Sequence, residues 1–493
     1  MELSFFGATG ETTGSCHLLK APQGSILLDC GLFQGRRAEA WRRNSQFGFD
    51  PRGIAAVVQS HAHIDHSGRL PMLPAAGFRG EVHATPGTRD LCEIMLLDSA
   101  QIQVKDAEEL NRRRARERTD RRWTSAALTA AASTGEPECL AHGPLPEHEV
   151  EPLYVEQDVR RVLRRFVSHP YGESFEVIPG VRGRFHDAGH ILGSAWVELD
   201  VEEPGGTTKL VFTGDFGRPG QPVLRDPEPL CAADVYISES TYGDRSHPPF
   251  EDTEAELGLA VERLARRGRG RLIIPVFAVG RAQNLLYTLS RVFRTREVGQ
   301  VSVVVDSPLA LAATQVVARH TECFDQETLA EFAHFRAGGL FEKRLRFTES
   351  VEDSKSVNRD PRPLVVLAAS GMLESGRVVH HVAWNVSRED CEILIVGYQA
   401  RATLGRKLLD GAREVNLLGR RFLVRATITP LFGFSAHADR EGLIAALAPH
   451  GARARTLFLV HGEDDQRDPL ARALRERGFR RVETPDDGRP YSA

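Results

Sequence analysis

Short apolar runs separated by glycine-containing turns fill the beginning of the chain, and this pattern predicts small β-strands. Residues 1–8, 14–20 and 25–29 carry such runs. The stretch "IAAVVQS" at 54–60 consists mostly of small and β-branched apolar residues, which is typical of a buried strand. This last strand matters most for function, because it leads directly into a cluster of histidines.

A different pattern covers about 246–420, where amphipathic helices alternate with strands that are apolar throughout. The strands are "RLIIPVF", "VSVVVDS", "PLVVLAAS" and "EILIVGY". Continuous apolar strands are buried on both faces, as in a parallel sheet that is covered by helices. Strand–loop–helix units return afterwards in "VRATITPLFGFSAHADREGLIAALAP" and "RTLFLVHGE". We therefore expect a distinct α/β domain within the chain.

Residues 111–150 differ from both of these regions in composition. The dense charge run "NRRRARERTDRR" is followed by a stretch rich in alanine, proline and glycine. We interpret this segment as an exposed helical tail and a flexible excursion. A positively charged lip for a polyanion is the alternative interpretation.

Composition narrows the class of protein. A chain of 493 residues with 41% hydrophobic and 26% charged residues has the length of two to four domains and the composition of a soluble globular protein. No apolar run approaches the roughly 20 residues of a membrane helix, and the start lacks the pattern of a secretory signal. Seven scattered cysteines without a CxxC pair indicate reduced thiols. We expect a cytoplasmic protein that does not bind membranes.

The charge balance says little about a partner. The net charge is −4, and only six of the 63 basic residues are lysines. Arginine binds phosphate with two parallel hydrogen bonds. A GC-rich genome would produce the same excess of arginine, so charge alone does not identify a polyanion partner.

The stretch "SHAHIDHSG" carries the strongest chemical signal. It places His61, His63, Asp65 and His66 within six positions, directly after the predicted strand. Imidazole and carboxylate ligands without thiolates suit Zn²⁺ with open coordination positions, as in a catalytic site. We expect His61 and His63 to converge on one metal, and Asp65 and His66 to face a second.

Other strand ends supply candidates for the missing ligands. "FHDAGHILGSA" offers His190 as a third ligand of the first metal, and we interpret His186 in the same stretch as structural or as a residue that supports a ligand. "VFTGDFGR" ends an apolar strand with Asp215, a candidate bridging carboxylate. Asp29 in "ILLDCG" is either a turn cap or an acceptor that orients a ligand histidine.

The order of these motifs resembles the metallo-β-lactamase superfamily. The segments "SESTYGDR", "IIPVFAVGRAQ", "LAASGMLESGRVVHH", "GFSAHAD" and "LVHGE" resemble its β-CASP branch of nucleic-acid hydrolases. That branch includes RNase J and the cleavage-and-polyadenylation endonuclease subunit, and the chain is most similar to its compact bacterial RNA-processing exonucleases. The resemblance covers nearly the whole chain apart from 111–150.

The resemblance implies an α/β fold of two parts. A metallo-β-lactamase αββα sandwich is expected from 1–245 and 421–493, and a β-CASP α/β domain at 246–420 is expected to be inserted into it. The active site would lie in the cleft between the two. The insertion would explain why some site residues lie far along the chain.

The resemblance also assigns roles to individual residues. Glu239 matches the acidic motif A, His437 matches motif B, and His461 matches motif C. The catalytic set is then His437, Glu239 and Asp65. Two Zn²⁺ ions per chain would be held by the following residues: His61, His63, Asp65, His66, His190, Asp215 and His461.

This ligand set suggests a mechanism for phosphodiester hydrolysis. Two zinc ions about 3.5–4 Å apart can share one hydroxide, because metal-bound water ionises near neutral pH. The hydroxide would attack phosphorus in line. His437, held by Glu239, would protonate the leaving 3′-oxygen. Cleavage of this kind leaves a 5′-phosphate on the downstream product.

Two glycine-containing turns of the expected inserted domain are candidates for phosphate contacts. "AASGMLESGR" offers backbone N–H groups with Ser370, Gly371 and Arg377, and "PVFAVGRAQ" offers Arg281 after Gly280. A plain α/β turn is the alternative for either segment alone.

We therefore predict a metal-dependent RNA phosphodiesterase that acts as an endonuclease, as a 5′-to-3′ exonuclease, or as both. The first alternative is a DNA nuclease of the same superfamily, but RNA-directed members carry histidine at the position of His461, where many DNA-directed members carry valine. A hydrolase of small substrates is a further alternative, which the expected inserted domain argues against. A non-catalytic RNA-binding scaffold is disfavoured by the full ligand set. The predicted partner is RNA, and a homo-oligomer is left open.

Overall fold

A computed structural model describes residues 1–35, 37–123, 149–335, 340–397, 399 and 403–492. The strands within these residues are β1 Glu2–Phe5, β2 His17–Ala21, β3 Gly24–Leu28, β4 Ile54–Val58, β5 Glu81–Ala84, β6 Phe166–Ser168, β7 Ser174–Ile178, β8 Val181–Asp187, β9 Ala195–Glu203, β10 Gly206–Phe212, β11 Val235–Glu239, β12 Arg271–Pro275, β13 Ser302–Asp306, β14 Leu345–Phe347, β15 Leu364–Ala368, β16 Glu392–Ile395, β17 Glu414–Leu417, β18 Arg420–Leu423, β19 Thr427–Pro430, β20 Thr456–Val460, β21 Val482–Glu483 and β22 Pro490–Ser492.

The α-helices within the same residues are α1 Arg37–Asn44, α2 Ile64–Ser67, α3 Met72–Ala75, α4 Pro86–Trp123, α5 Glu156–Leu163, α6 Phe250–Arg267, α7 Arg281–Thr295, α8 Pro308–Val317, α9 Gln326–Phe335, α10 Leu340–Arg344, α11 Val351–Arg359, α12 Arg377–Asn385, α13 Leu404–Leu409, α14 Arg440–Leu447 and α15 Asp464–Glu476.

Two mixed sheets face each other across a common apolar core. In the described part of the chain the first sheet has the order β22-β1-β2-β3-β4-β5-β6, and the second has the order β21-β20-β11-β10-β9-β8-β7. Side chains from both sheets meet in one buried cluster, which includes Phe5 and Val58 from the first sheet and Phe185, Phe212 and Phe458 from the second. Alternate residues of each strand point into this layer, as the two-residue period of a strand requires.

Helices cover the outer face of each sheet. The helix α4 packs through Leu91 and Leu96 on the outer face of the first sheet. The helices α14 and α15 pack through residues such as Leu443 and Leu470 on the outer face of the second. The layers are therefore helix, sheet, sheet and helix, which confirms the predicted αββα sandwich.

A third sheet, with order β14-β13-β15-β12-β16-β19, is parallel throughout. Its four central strands, β13, β15, β12 and β16, are buried on both faces, as their continuous apolar runs predicted. The helix α7 packs on the face that carries Ile274, whereas α12 packs on the face that carries Ile273. This sheet is the inserted α/β domain. It continues to Pro430 because β19 pairs with β16, which is beyond the boundary predicted at 420.

Direct contacts join the inserted domain to the sandwich. Leu224 forms an antiparallel bridge with Phe324, and Asn284 Nδ2 donates to Gln221 Oε1 at 3.2 Å. His320 Nε2 lies 3.0 Å from Asp90 Oδ2 on α4. These contacts hold the inserted sheet beside the edge of the sandwich where the histidine cluster lies.

The strand predicted at 54–60 is β4, which ends at Val58. The charge run after residue 111 continues α4 to Trp123, and residues 124–148 of the predicted excursion lie outside the described residues. Within those residues, no helix is long and apolar enough to cross a membrane.

Phe212 offers a test of the core between the two sheets. Its side chain is 1% exposed. Phe212→Ala should therefore lower the free energy of unfolding by about 3–5 kcal/mol, measured by urea unfolding followed by circular dichroism. The control is Phe432→Ala, which removes a ring that is 48% exposed and should change stability by less than about 0.5 kcal/mol. Equal losses in both variants would contradict this assignment of the core.

Candidate metal centre

The predicted metal ligands meet at one edge of the sandwich, where strands of both sheets end. The loop that carries His61 to His66 follows β4, and His190 follows β8. Asp215 comes shortly after β10, and His461 directly follows β20. The fold therefore brings together residues that are up to 400 positions apart in the sequence, because all of these strands end on the same side.

The first group of candidate ligands consists of His61, His63, His190 and Asp215. His63 Nδ1 lies 3.1 Å from His61 Nε2 and 3.2 Å from His190 Nε2. Asp215 Oδ2 lies 3.4 Å from both His61 Nε2 and His190 Nε2. Four atoms around a zinc ion with bonds of 2.0–2.1 Å are about 3.4 Å apart in a tetrahedron. The spacing of this group fits such a shell.

The second group consists of Asp65, His66 and His461. His461 Nε2 lies 3.6 Å from Asp65 Oδ2. Asp215 reaches this group as well, because its Oδ1 atom lies 3.1 Å from His66 Nε2 and 3.4 Å from His461 Nδ1. One carboxylate thus presents one oxygen to each group, which is the arrangement of a bridging ligand.

Several polar atoms in this centre lack a hydrogen-bond partner. His66 Nε2, Asp215 Oδ1 and His461 Nε2 are buried, and their close approaches to other described residues do not have the geometry of hydrogen bonds. Buried polar atoms are rarely left without a partner in folded proteins. Lone pairs of imidazole and carboxylate groups that converge in this way fit metal ions.

Burial also sets the protonation of the histidines. It lowers the pKa of His61 to about 3 and that of His63 to about 4, and it holds the pKa of His190 well below its ordinary value. These rings are therefore neutral at physiological pH, which is the form that binds a metal. At His66 burial acts in the same direction, but the Asp215 and Asp29 carboxylates outweigh it and raise the pKa. A metal cation beside these carboxylates would compete with that proton.

Asp29 orients the histidine loop. It is fully buried, and its Oδ2 atom lies 2.7 Å from His66 Nδ1. The same carboxylate accepts hydrogen bonds from the backbone N–H and the hydroxyl of Ser60, both at 2.7 Å. A hydrogen bond on Nδ1 leaves Nε2 of His66 directed at the metal centre, as is usual for metal-binding histidines.

Sequence reasoning missed two residues that support this loop. Ser60 Oγ lies 3.0 Å from His61 Nδ1, so it links Asp29 to a ligand of the first group. Gln59 Nε2 donates to the carbonyl oxygens of His61 and His66 at 2.7 and 3.0 Å. The available signal was a polar pair at the end of an apolar strand, directly before the cluster.

Close packing also shapes the loop. A Cβ atom at Gly31 would lie 1.6 Å from the carbonyl oxygen of Asp65, so only glycine permits this approach. His461 has a left-handed backbone with φ of 49°, a conformation that costs free energy for a non-glycine residue and is concentrated at functional sites. The hydroxyl of Thr241 lies 3.1 Å from its Nδ1 atom.

His437 and Glu239 form a pair beside the two groups. His437 Nδ1 lies 3.0 and 3.1 Å from the two oxygens of Glu239, and its Nε2 atom lies 3.9 Å from Asp215 Oδ2. Burial would lower the pKa of His437, but the Glu239 and Asp215 carboxylates outweigh it and raise the pKa to about 9. Glu239 is itself fully buried and accepts the Phe216 N–H at 2.5 Å. The nitrogen opposite Glu239 thus faces the metal centre.

The predicted phosphate contacts lie in two turns of the inserted domain. Arg281 is the first residue of α7, and its guanidinium donates to the Val396 carbonyl oxygen. Burial lowers the pKa of Arg281 to about 10, and the nearby Tyr242 opposes this shift. Ser370 and Gly371 lie two and three residues beyond the end of β15. The assignment of these residues to phosphate binding stays a prediction.

Arg377 is engaged inside the inserted domain. Its Nη1 atom donates to Asp306 Oδ1 at 2.7 Å, and its Nη2 atom donates to the Glu349 carbonyl oxygen at 2.8 Å. Asp306 is fully buried and also lies 2.5 Å from His381 Nε2. These bonds hold the guanidinium in a local network with Asp306, and the predicted phosphate contact of Arg377 stays a prediction.

His186, which was interpreted as structural, stacks on Trp196 with ring centroids 3.8 Å apart. Its two nitrogens lie 3.0 Å from Glu198 and Glu228. Its ring is thus held in a separate network of acidic side chains.

Comparisons with known proteins agree with this arrangement. Family models match residues 9–102 as "Metallo-beta-lactamase superfamily", 282–408 as "Beta-Casp domain" and 423–485 as "Zn-dependent metallo-hydrolase RNA specificity domain". A ribonuclease of Thermus thermophilus is 35% identical over 97% of both chains. A transcription termination factor, FttA, of Methanothermobacter thermautotrophicus is 28% identical over 96% of this chain and 68% of its own length.

A crystal structure of a protein from Enterococcus faecalis V583 is similar to the whole chain, with a TM-score of 0.52 at 11% identity and 99% coverage of both chains. At this identity the likeness concerns the fold alone. The relative from Thermus, which is similar along its whole length, together with the metallo-β-lactamase and β-CASP matches, decides the family. The chain belongs to the β-CASP group of nucleases within the metallo-β-lactamase superfamily.

Proposed function

We propose that the protein is a ribonuclease that uses two zinc ions to hydrolyse RNA phosphodiester bonds and leaves 5′-phosphates on its products. The observation that carries this proposal is the Asp215 carboxylate, which presents one oxygen to each of two histidine-containing groups. A single metal would require only one such group. Two groups joined by one carboxylate are typical of centres that act on phosphate esters with a pair of metal ions.

The proposed ligand sets follow the two groups. His61, His63 and His190 would hold the first ion, and Asp65, His66 and His461 would hold the second, with Asp215 between them. When bound, the two ions supply charge stabilisation for the phosphate and an acidified water as nucleophile. Asp29 and Ser60 hold the histidine rings in the orientation that this chemistry needs.

We assign the role of general acid to His437. Its Nδ1 atom is bound to the Glu239 carboxylate, so Nε2 faces the centre, and the Glu239 carboxylate favours the protonated ring by raising its pKa. Donation of a proton from Nε2 to the leaving 3′-oxygen lets the bond between that oxygen and phosphorus break. The phosphate then stays on the 5′ end of the downstream fragment.

Two findings support RNA as the substrate. The model that describes an RNA specificity domain matches 423–485, and this range contains both His437 and His461. The relative that is similar over its whole length is a ribonuclease by name. A cytoplasmic location is proposed with it, because the cysteines of the described residues are free thiols.

Product mapping tests the proposed reaction. The protein with zinc should cut a defined single-stranded RNA and leave a 5′-phosphate on each new downstream end, read by ligation that requires this group. Matched RNAs that begin with a 5′-phosphate or a 5′-hydroxyl separate an exonuclease from an endonuclease. Cleavage of the DNA version at an equal rate would favour the DNA nuclease, and products with 5′-hydroxyl ends would contradict the proposed mechanism.

The ligand sets predict the zinc content of variants, measured by elemental analysis. The wild type should hold about two zinc ions per chain, whereas Asp215→Ala should lose affinity for both ions because it serves both groups. His61→Ala should lose mainly one. His186→Ala is the matched control, since its ring binds Glu198 and Glu228, and it should keep the wild-type zinc content and RNA cleavage. An Asp215→Ala protein with full zinc content would contradict the bridging assignment.

Removal of the general acid should slow the reaction with little effect on RNA binding. For His437→Ala we expect a fall in kcat of about 10²–10⁴-fold. A 3′-thio leaving group needs no proton, so an RNA with a 3′-S-phosphorothiolate linkage should be cut at a similar rate by His437→Ala and by the wild type. An equal loss on both substrates would show that His437 does not protonate the leaving group.

A further inference from the structure

Phe277 is an aromatic residue that the packing leaves exposed. Its side chain is 40% exposed, whereas its neighbours Val276 and Ala278 are buried. It lies two residues beyond the end of β12. Single exposed hydrophobic residues are common on protein surfaces. Exposure alone therefore does not indicate a function, and the surroundings of the ring must be considered.

The ring lies beyond the ends of two neighbouring strands, β12 and β15, whose following helices pack on opposite faces of the inserted sheet. β12 and β15 are paired along their length. The helix after β12 packs on the face of Ile274, and the helix after β15 packs on the face of Ile273. When the loops after two adjacent strands lead to opposite faces, a crevice forms between them at the carboxyl end of the parallel sheet. This is where α/β proteins bind ligands.

A glycine leaves room for the ring inside this crevice. A Cβ atom at Gly371, in the loop after β15, would lie 3.0 Å from Cδ2 and Cε2 of Phe277. The edge of the ring therefore packs against glycine backbone. The loop after β15 thus supports the ring from one side while 40% of the side chain stays exposed.

The same turn adjoins the candidate metal centre. A Cβ atom at Gly280 would lie 2.8 Å from Cγ2 of Ile191, the residue that follows His190. Arg281 interacts electrostatically with Tyr242, whose ring centroid is 6.0 Å from that of His437. The turn that carries Phe277 therefore adjoins, through Gly280 and Arg281, residues beside the first ligand group and the proposed general acid.

We propose that Phe277 is a stacking platform for one unpaired nucleobase of the RNA strand whose phosphate lies at the metal centre. This inference rests on the proposed ribonuclease function. Bases stack on aromatic side chains regardless of their identity, because every base has a π-face. A base within a duplex is covered by its neighbours, so this platform selects single-stranded RNA without selecting a sequence.

Three substitutions of Phe277 distinguish stacking on an aromatic ring from contact with any large apolar side chain. Phe277→Ala should raise the KM for a short unstructured RNA, and its Kd in a His437→Ala background, by about five- to a hundredfold. Phe277→Leu keeps an apolar side chain without a π-face and should lose nearly as much, whereas Phe277→Trp should keep the wild-type affinity. Trp384→Ala removes another exposed ring, at the end of α12 that points away from the crevice, and is the matched control. It should leave both constants unchanged.

The RNA supplies the second half of the experiment. A series of RNAs with one abasic position, moved along the strand, should show one position near the cleaved bond where the wild type loses affinity by the same factor as Phe277→Ala. At that position Phe277→Ala should lose nothing further. Overlaid thermal unfolding curves for all variants check that the exposed substitutions leave the fold intact.

Two results would overturn the inference. One is a Phe277→Leu protein with wild-type KM and Kd. The other is an abasic series that affects the wild type and Phe277→Ala to the same extent at every position. Failure of the ribonuclease proposal would look different, because the wild type itself would then not cut RNA, while the Kd series would still show whether Phe277 binds a base.

Discussion

The structure depends on a buried carboxylate that a set of histidines surrounds. Asp215 is 2% exposed, and a carboxylate at this depth costs much free energy unless it is paired or coordinates a metal ion. His61 and His190 face one oxygen, and His66 and His461 face the other. The strand ends of both sheets, the glycine at position 31 and the Asp29–Ser60 pair all serve to hold these partners in place.

The inserted domain differs from the sandwich in what it contributes near the candidate metal centre. It provides a crevice with an aromatic ring and glycine-containing turns rather than metal ligands. The contacts between Leu224 and Phe324, and between Asp90 and His320, bring this crevice to the edge of the sandwich. In our proposals the sandwich supplies the chemistry and the inserted domain supplies substrate binding. The chain leaves the sandwich after β11, forms the inserted sheet, and returns to the sandwich with β20.

Local patterns predicted much of this arrangement. The ligand cluster could be read from six positions, and the αββα sandwich and inserted sheet followed from family resemblance and from the change in strand pattern. The internal bonds of Arg377 could not be predicted, because they depend on Asp306, which is 71 residues away in the sequence. Neither Ser60 nor Phe277, the residue of our further proposal, could be singled out from the sequence, because a serine or a phenylalanine beside a strand has many ordinary roles.

The strand β20 has a consequence for how the protein is made. It lies between β21 and β11 in the second sheet and delivers His461 to the metal centre. β22, at 490–492, pairs with β1 at the other end of the chain. A growing polypeptide that has not reached these strands has an incomplete ligand set and open sheet edges. The residues of the proposed metal centre can therefore come together only after His461 has been synthesised, 400 residues after His61.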